Sequence, residues 1–198
     1  MNWKIALMLL PGLIIGLTIH EASHALSAKL LGDKTAYKMG RVSLNPFKHL
    51  SLLGTAALFL LGFGWGKPVL VNLYNFKKPK LYYLLTSLAG PVSNLLLASA
   101  ALGILYLKPH WTIYFLAYST FFVNIVLSVV NLVPVPPLDG SKIWPCLIPG
   151  LRPTVSGKWS IFWLVILLIA FYNNYISRLV QFVFDFLSPL LPAGTLEM

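Results

Sequence analysis

The feature that most constrains this chain is a series of apolar runs long enough to cross a membrane. A spanning helix needs about 20 consecutive apolar residues, and runs of that order cover about 5–31, 84–107, 111–132 and 158–175. Only 10% of the 198 residues are charged, whereas soluble globular domains have roughly 25%. We therefore predict an all-α polytopic membrane protein with about four transmembrane helices, folded as a single membrane-embedded domain over residues 1–198.

The segments between these runs predict shorter elements. Residues 50–65 are apolar but too short and too rich in glycine for a complete span, so we predict a re-entrant or interfacial segment. The polar stretch 35–44, with Gly40 as its turn, predicts a short β-hairpin-like element. We expect residues 140–157 to form a loop, and the tail 176–191 to lie along the membrane interface or to pack as a further helix.

The formal net charge of +10 is better explained by membrane topology than by nucleic acid binding. Lysine and arginine cluster between the apolar runs, as they do in cytoplasmic loops that face anionic lipid headgroups. If 50–65 does not cross, the basic segments on both sides of it share one membrane face with Lys142, Arg152 and Lys158. We therefore expect an integral protein of a prokaryotic cell membrane, with lipid as a partner, no nucleic acid, and this face in the cytoplasm.

An H-E-x-x-H motif lies inside the first apolar helix, at His20-Glu21-Ala22-Ser23-His24. The two histidines are one helical turn apart, so their imidazoles point from one face and are spaced to share a zinc ion. Glu21 places a carboxylate beside them that can accept a proton from water. The alternative is hydrogen bonding of both histidines to neighbouring helices, but ionisable groups inside an apolar helix are costly and usually functional. We predict one zinc ion per chain, with Glu21 as the catalytic base.

A catalytic zinc ion has three protein ligands and an open position for water, so the two histidines need a partner. The chain has only five acidic residues, which are Glu21, Asp33, Asp139, Asp185 and Glu197. Asp139 follows the third span, and a non-crossing 50–65 segment brings it to the same membrane face as His24. We predict Asp139 as the third ligand, with a turn or helix cap beside Gly140 as the alternative. The active site is then expected toward the cytoplasmic side.

These motifs make the chain similar to the site-2 protease family of intramembrane zinc metalloproteases. The similar blocks are the H-E-x-x-H helix and residues 31–46, 64–68, 89–94 and 131–140, in the family's order. The chain most resembles the small prokaryotic branch without a PDZ domain. The resemblance implies a zinc metalloendopeptidase that hydrolyses peptide bonds in or near transmembrane segments of membrane proteins. It also implies that Asp139 binds zinc and that Asn94 and Asn131 line the cleft.

The sequence does not decide between two roles for several other polar residues. The amides of Asn94 and Asn131 are suited either to a substrate carbonyl or developing oxyanion, or to hydrogen bonds between helices. His49 and His110 are expected at the membrane interface, with a position near the site as the alternative for His49, since it shares the cytoplasmic side.

Two other functions fit part of the pattern, namely a metal-binding membrane transporter and a non-catalytic membrane scaffold. A transporter does not need a glutamate directly after the first histidine, and a scaffold does not need an intact set of ligands. The sequence predicts neither the substrate and its cleavage site nor the oligomeric state.

Overall fold

A computed structural model describes residues 3–52, 66–150 and 172–192, together with residues 54, 55, 57, 162, 165, 166, 169 and 170. This part of the chain is mainly helical. Its helices are α1 (Trp3–Leu30), α2 (Thr35–Lys38), α3 (Pro79–Tyr106), α4 (Trp111–Asn131), α5 (Gly140–Leu147) and α6 (Tyr175–Leu187), with single 3₁₀ turns at Pro46–Lys48, Leu73–Asn75 and Ser188–Leu190.

Three of the described helices, α1, α3 and α4, are long and apolar enough to cross a membrane. They coincide with the first three predicted spans, which are confirmed to within a few residues at each end. Most of the predicted fourth span, 158–175, lies outside the described residues, so a span there stays a prediction.

Helices α1, α3 and α4 contact one another in pairs, and small residues let α1 approach α4 closely. A Cβ on Gly12 would lie 2.4 Å from the carbonyl oxygen of Ser119, and one on Gly16 would lie 2.6 Å from Oδ1 of Asn124. The backbone N–H of Gly12 also donates to the Ser119 hydroxyl over 3.2 Å. Close backbone approach of this kind stabilises helix pairs in lipid, where the hydrophobic effect does not drive them together.

The tail forms a further helix, which was one of its two predicted alternatives. Helix α6 contacts α4, and the rings of Phe122 and Phe184 meet edge to face with centroids 5.6 Å apart. Leu191, just beyond α6, joins Leu105 and Phe121 in a buried apolar cluster between α3 and α4. The tail therefore covers the end of the bundle away from the histidines of α1.

The predicted hairpin over 35–44 is wrong, because Thr35–Lys38 is a turn of helix and the described residues contain no β-strand. The Asp33 carboxylate accepts hydrogen bonds from the backbone N–H and the hydroxyl of Thr35, at 3.0 and 2.5 Å. Such a bond satisfies an amide at the start of a helical turn. Gly40, with a positive φ of 69°, then lets the chain leave the turn.

The start of the predicted loop 140–157 is also helical. Helix α5 carries Ile143 and Cys146 on a buried face, and the indole of Trp144 donates to the carbonyl of Leu132 over 2.8 Å. Burial of one face against α3 outweighs the low helix propensity of Gly140 and Pro145. The rest of that loop, 151–157, lies outside the described residues.

The two ends of the apolar segment 50–65 lie side by side. Leu50 and Gly66 form an antiparallel bridge, and the N–H of Lys67 donates to the carbonyl of His49 over 2.6 Å. The guanidinium of Arg41 donates to the carbonyls of Lys48 and Lys67 and so joins the same two segments of the chain.

Candidate metal centre

His20 and His24 of α1 meet Asp139, which directly precedes α5, at one buried point. Oδ2 of Asp139 lies 3.0 Å from Nε2 of His20 and 3.0 Å from Nε2 of His24, and the two Nε2 atoms are 3.1 Å apart. All three residues are buried. Ligand atoms about 2.0–2.1 Å from a tetrahedral zinc ion are about 3.3 Å from one another. This His–Asp cluster therefore fits the donor types and the spacing of a zinc site.

Helix α3 approaches the two histidines closely because Gly90 faces them. A Cβ at this position would lie 2.4 Å from Nε2 of His24 and 2.6 Å from Cε1 of His20. No side chain larger than hydrogen fits there without moving the imidazoles.

Each histidine has a partner at its second ring nitrogen. Nδ1 of His24 lies 2.7 Å from the backbone carbonyl oxygen of Thr86, and Nδ1 of His20 lies 3.2 Å from the side-chain amide nitrogen of Asn94. Partners of this kind fix the tautomer and the ring orientation of metal-binding histidines.

The two oxygens of Asp139 have different partners. Oδ2 faces the histidines, whereas Oδ1 accepts a hydrogen bond from Nζ of Lys142 over 2.8 Å. The carboxylate makes no capping bond to α5, so the capping alternative for Asp139 has no support. Burial raises the pKa of the Asp139 carboxyl, but the attraction of His24 and Lys142 outweighs burial and holds that pKa well below its usual range.

The position of Asp139 depends on close packing at the following residue. A Cβ on Gly140 would lie 2.3 Å from the carbonyl oxygens of both Leu132 and Val133. Glycine therefore lets the chain turn back against the end of α4 and present Asp139 to α1.

A cavity of about 350 Å³ opens in front of the His–Asp cluster. Besides the cluster it is lined by Glu21, Asn131, Lys142 and the segment 68–71. Glu21 faces Gly66, just before this segment, since its Oε1 is 3.4 Å from the position that a Cβ on Gly66 would take. The volume falls in the range of small-molecule and substrate sites, about 300–1,000 Å³.

The structure separates the two asparagines. Asn131 lines the cavity and donates to the carbonyl of Leu127 over 2.9 Å. Asn94 is fully buried behind His20 and is not among the lining residues. Contact of either amide with substrate stays a prediction.

The side chain of His49 is fully buried and its Nε2 lies 2.7 Å from the carbonyl oxygen of Ser43. Its position at the membrane interface stays a prediction. Gly90 and Lys142 were not predicted from the sequence as residues of the site. Two signals were available: Gly90 lies in the family-like block 89–94, and Lys142 lies one helical turn after Asp139.

Comparison with known proteins identifies the chain's relatives. The profile of peptidase family M50 matches residues 108–171. "Putative zinc metalloprotease YwhC" of Bacillus subtilis (strain 168) is 42% identical over 193 residues, which cover 92% of this chain and 84% of that protein. "Putative zinc metalloprotease Rip2" of Mycobacterium tuberculosis (strain H37Rv) is 31% identical over 192 residues, which cover 90% of this chain and 73% of that protein.

The corresponding Rip2 of Mycolicibacterium smegmatis is 29% identical over 197 residues, covering 91% of this chain and 74% of that protein. No solved structure matches the chain significantly. Identity of 42% across most of both chains exceeds what a shared motif alone would give. The chain is therefore an integral membrane protein of peptidase family M50, the site-2 protease family of intramembrane zinc metalloproteases.

Proposed function

We propose that this protease is an endopeptidase that cleaves peptide bonds in or near transmembrane segments of other membrane proteins, and that His20, His24 and Asp139 hold its zinc ion. One observation carries the assignment: the three candidate ligand atoms converge within 3.0–3.1 Å of one another beside a cavity that Glu21 also lines.

Glu21 is the general base in this mechanism. Bound zinc supplies a Lewis acid that polarises a carbonyl and lowers the pKa of water. The Glu21 carboxylate follows His20 on α1 and borders the cavity, where it accepts the proton of the attacking water and then passes it to the leaving amine. Thr86 and Lys142 hold His24 and Asp139 in place through the bonds described above.

The substrate has to be unwound at the bond that is cut, because a transmembrane helix keeps its carbonyls in internal hydrogen bonds. Residues 68–71 line the cavity and belong to no helix or strand. Within the described residues they make no backbone–backbone hydrogen bond. An extended substrate segment can therefore pair with this wall.

The proposed topology has 50–65 entering and leaving on one membrane face. The bridge between Leu50 and Gly66 supports it, because paired ends do not suit a single crossing. Helices α1 and α4 then run in the same direction, and His24 and Asp139 reach the same face. The basic segments around 50–65 make that face cytoplasmic in a prokaryotic cell membrane, with residues 158–175 as a fourth span.

Zinc analysis of purified variants tests the ligand assignment. We expect one zinc ion per wild-type chain, and loss of both zinc and cleavage of a helical membrane substrate in His20→Ala, His24→Ala and Asp139→Ala. Asp185→Ala is the matched control, since Asp185 is exposed on α6 and its carboxylate accepts from Gln181. Full zinc occupancy in Asp139→Ala would refute Asp139 as a ligand.

A further inference from the structure

Asn94 is a buried polar residue that the proposed mechanism does not use. Its side chain is 0% exposed, and its amide nitrogen lies 3.2 Å from Nδ1 of His20. Its amide oxygen is also buried and has no hydrogen-bond partner among the described residues. A buried carbonyl without a donor is costly, so such an atom in a membrane protein needs an explanation.

The ring nitrogen of His20 that carries the hydrogen decides which end of the Asn94 amide faces the imidazole. A neutral imidazole carries one N–H. If the Asn94 NH₂ donates to Nδ1 of His20, that hydrogen must sit on Nε2, which is the atom facing Asp139 and His24. A nitrogen that binds zinc must instead present a lone pair. His20 can therefore bind zinc through Nε2 only when Nδ1 carries the hydrogen.

The neighbouring histidine already has this arrangement. Nδ1 of His24 faces the backbone carbonyl of Thr86 at 2.7 Å, and a carbonyl can only accept. His24 therefore carries its hydrogen on Nδ1 and leaves Nε2 free.

The two ends of an amide have nearly the same shape, and the hydrogen-bond network chooses between them. Turning the amide of Asn94 places its oxygen against Nδ1 of His20, and the NH₂ group then takes the position in which the oxygen has no hydrogen-bond partner among the described residues. The Asn94 oxygen then accepts the Nδ1 hydrogen of His20, as the Thr86 carbonyl accepts the Nδ1 hydrogen of His24.

We propose that Asn94 is a positioning residue that accepts the Nδ1 hydrogen of His20, and so presets the tautomer in which Nε2 binds zinc. The inference rests on the proposed ligand assignment. It gives Asn94 a role behind the metal site, in place of contact with the substrate. Partners of this kind typically change metal affinity 10- to 100-fold when they are removed.

Zinc affinity of the full chain in detergent, measured with zinc alone against a competing chelator, tests this role. Asn94→Leu keeps the volume but loses the acceptor, and we expect zinc binding about 10- to 100-fold weaker. Asn94→Asp keeps an acceptor and should bind zinc at least as tightly as wild type. Equal affinity in Asn94→Leu and wild type, or equal weakening in both variants, would overturn the proposal.

Asn124→Leu is the matched control. Asn124 is equally buried on the adjacent helix and donates to the carbonyl of Thr120, so its replacement should leave zinc affinity unchanged. An equal loss in this control would show that the effect is one of folding, against the proposal. A wild-type chain that binds no zinc would instead overturn the ligand assignment itself.

Discussion

Gly90 shows how a single missing side chain makes room for the metal centre. We expect Gly90→Ala to displace the imidazoles of His20 and His24, because its Cβ would lie 2.4–2.6 Å from their ring atoms. Zinc content and cleavage rate should both fall at least tenfold. Gly103→Ala on the same helix is the control, since a Cβ there meets nothing within 4 Å, and alanine favours a helix over glycine. Full zinc and wild-type cleavage in Gly90→Ala would contradict this account.

At the residue scale, the sequence predicts the groups that act through local spacing and misses those that act through packing. His20, Glu21 and His24 share one helix, so their spacing alone brings them together. Asp139 was predicted as the third ligand because few acidic residues are available. Gly90 matters only because α3 passes within contact distance of α1, a distance that no pattern within one helix specifies.

At the scale of elements, Asp33 joins the end of α1 to the chain that enters α3. Its carboxylate accepts from the backbone N–H of Asn72 at 2.8 Å and from the amide of Asn75 at 2.7 Å, besides its two bonds from Thr35. Burial raises the pKa of this carboxyl, but the bonds from Thr35, Asn75 and Asn72 outweigh burial and leave the pKa below its usual value.

Asp33→Ala leaves these donors without an acceptor. We expect it to lower the free energy of unfolding by about 1–3 kcal/mol, measured by denaturation in detergent at neutral pH. Because the folded pKa is depressed, the carboxylate's contribution is present above about pH 4 and is lost as the pH falls through the folded pKa. The difference in the free energy of unfolding between wild type and Asp33→Asn should therefore become smaller in acid. The exposed Asp185→Ala should change stability little, and an equal loss there would count against the role of Asp33.

The same carboxylate explains why the predicted hairpin failed. Gly40 within the polar stretch 35–44 is a local signal for a hairpin turn, but an acceptor two residues before Thr35 favours a helical turn. Asn72 and Asn75, which bind the same carboxylate, come from 39 or more residues away. Helix α5 was missed for a related reason. Gly140 and Pro145 predict a loop, and only contact with α3 shows that Ile143 and Cys146 form a buried face.

At the scale of the whole molecule, the run lengths predicted the three described spans, because a membrane demands a helix of nearly fixed length. The side of the membrane on which each loop lies depends on whether 50–65 crosses. Besides the distribution of basic residues, contacts between distant parts of the chain bear on that point, such as the bridge between Leu50 and Gly66.

Cysteine labelling from each side of the membrane tests the topology. Single cysteines at Lys48 and Lys67, both exposed, should label from the cytoplasmic side in a Cys146→Ser background. A cysteine at Lys108, exposed in the turn between α3 and α4, should label from the opposite side. Labelling of positions 48 and 67 from different sides would mean that 50–65 crosses.

The central claim is that Glu21 is the base of a zinc peptidase. It is tested most directly by measuring zinc content and cleavage of a helical membrane substrate on one sample of Glu21→Gln in liposomes. Glutamine has nearly the shape of glutamate and leaves His20 and His24 in place, but it cannot accept a proton from water. We predict wild-type zinc content and cleavage slower by about 10²- to 10⁴-fold. Cleavage at the wild-type rate by the zinc-loaded variant would contradict the mechanism.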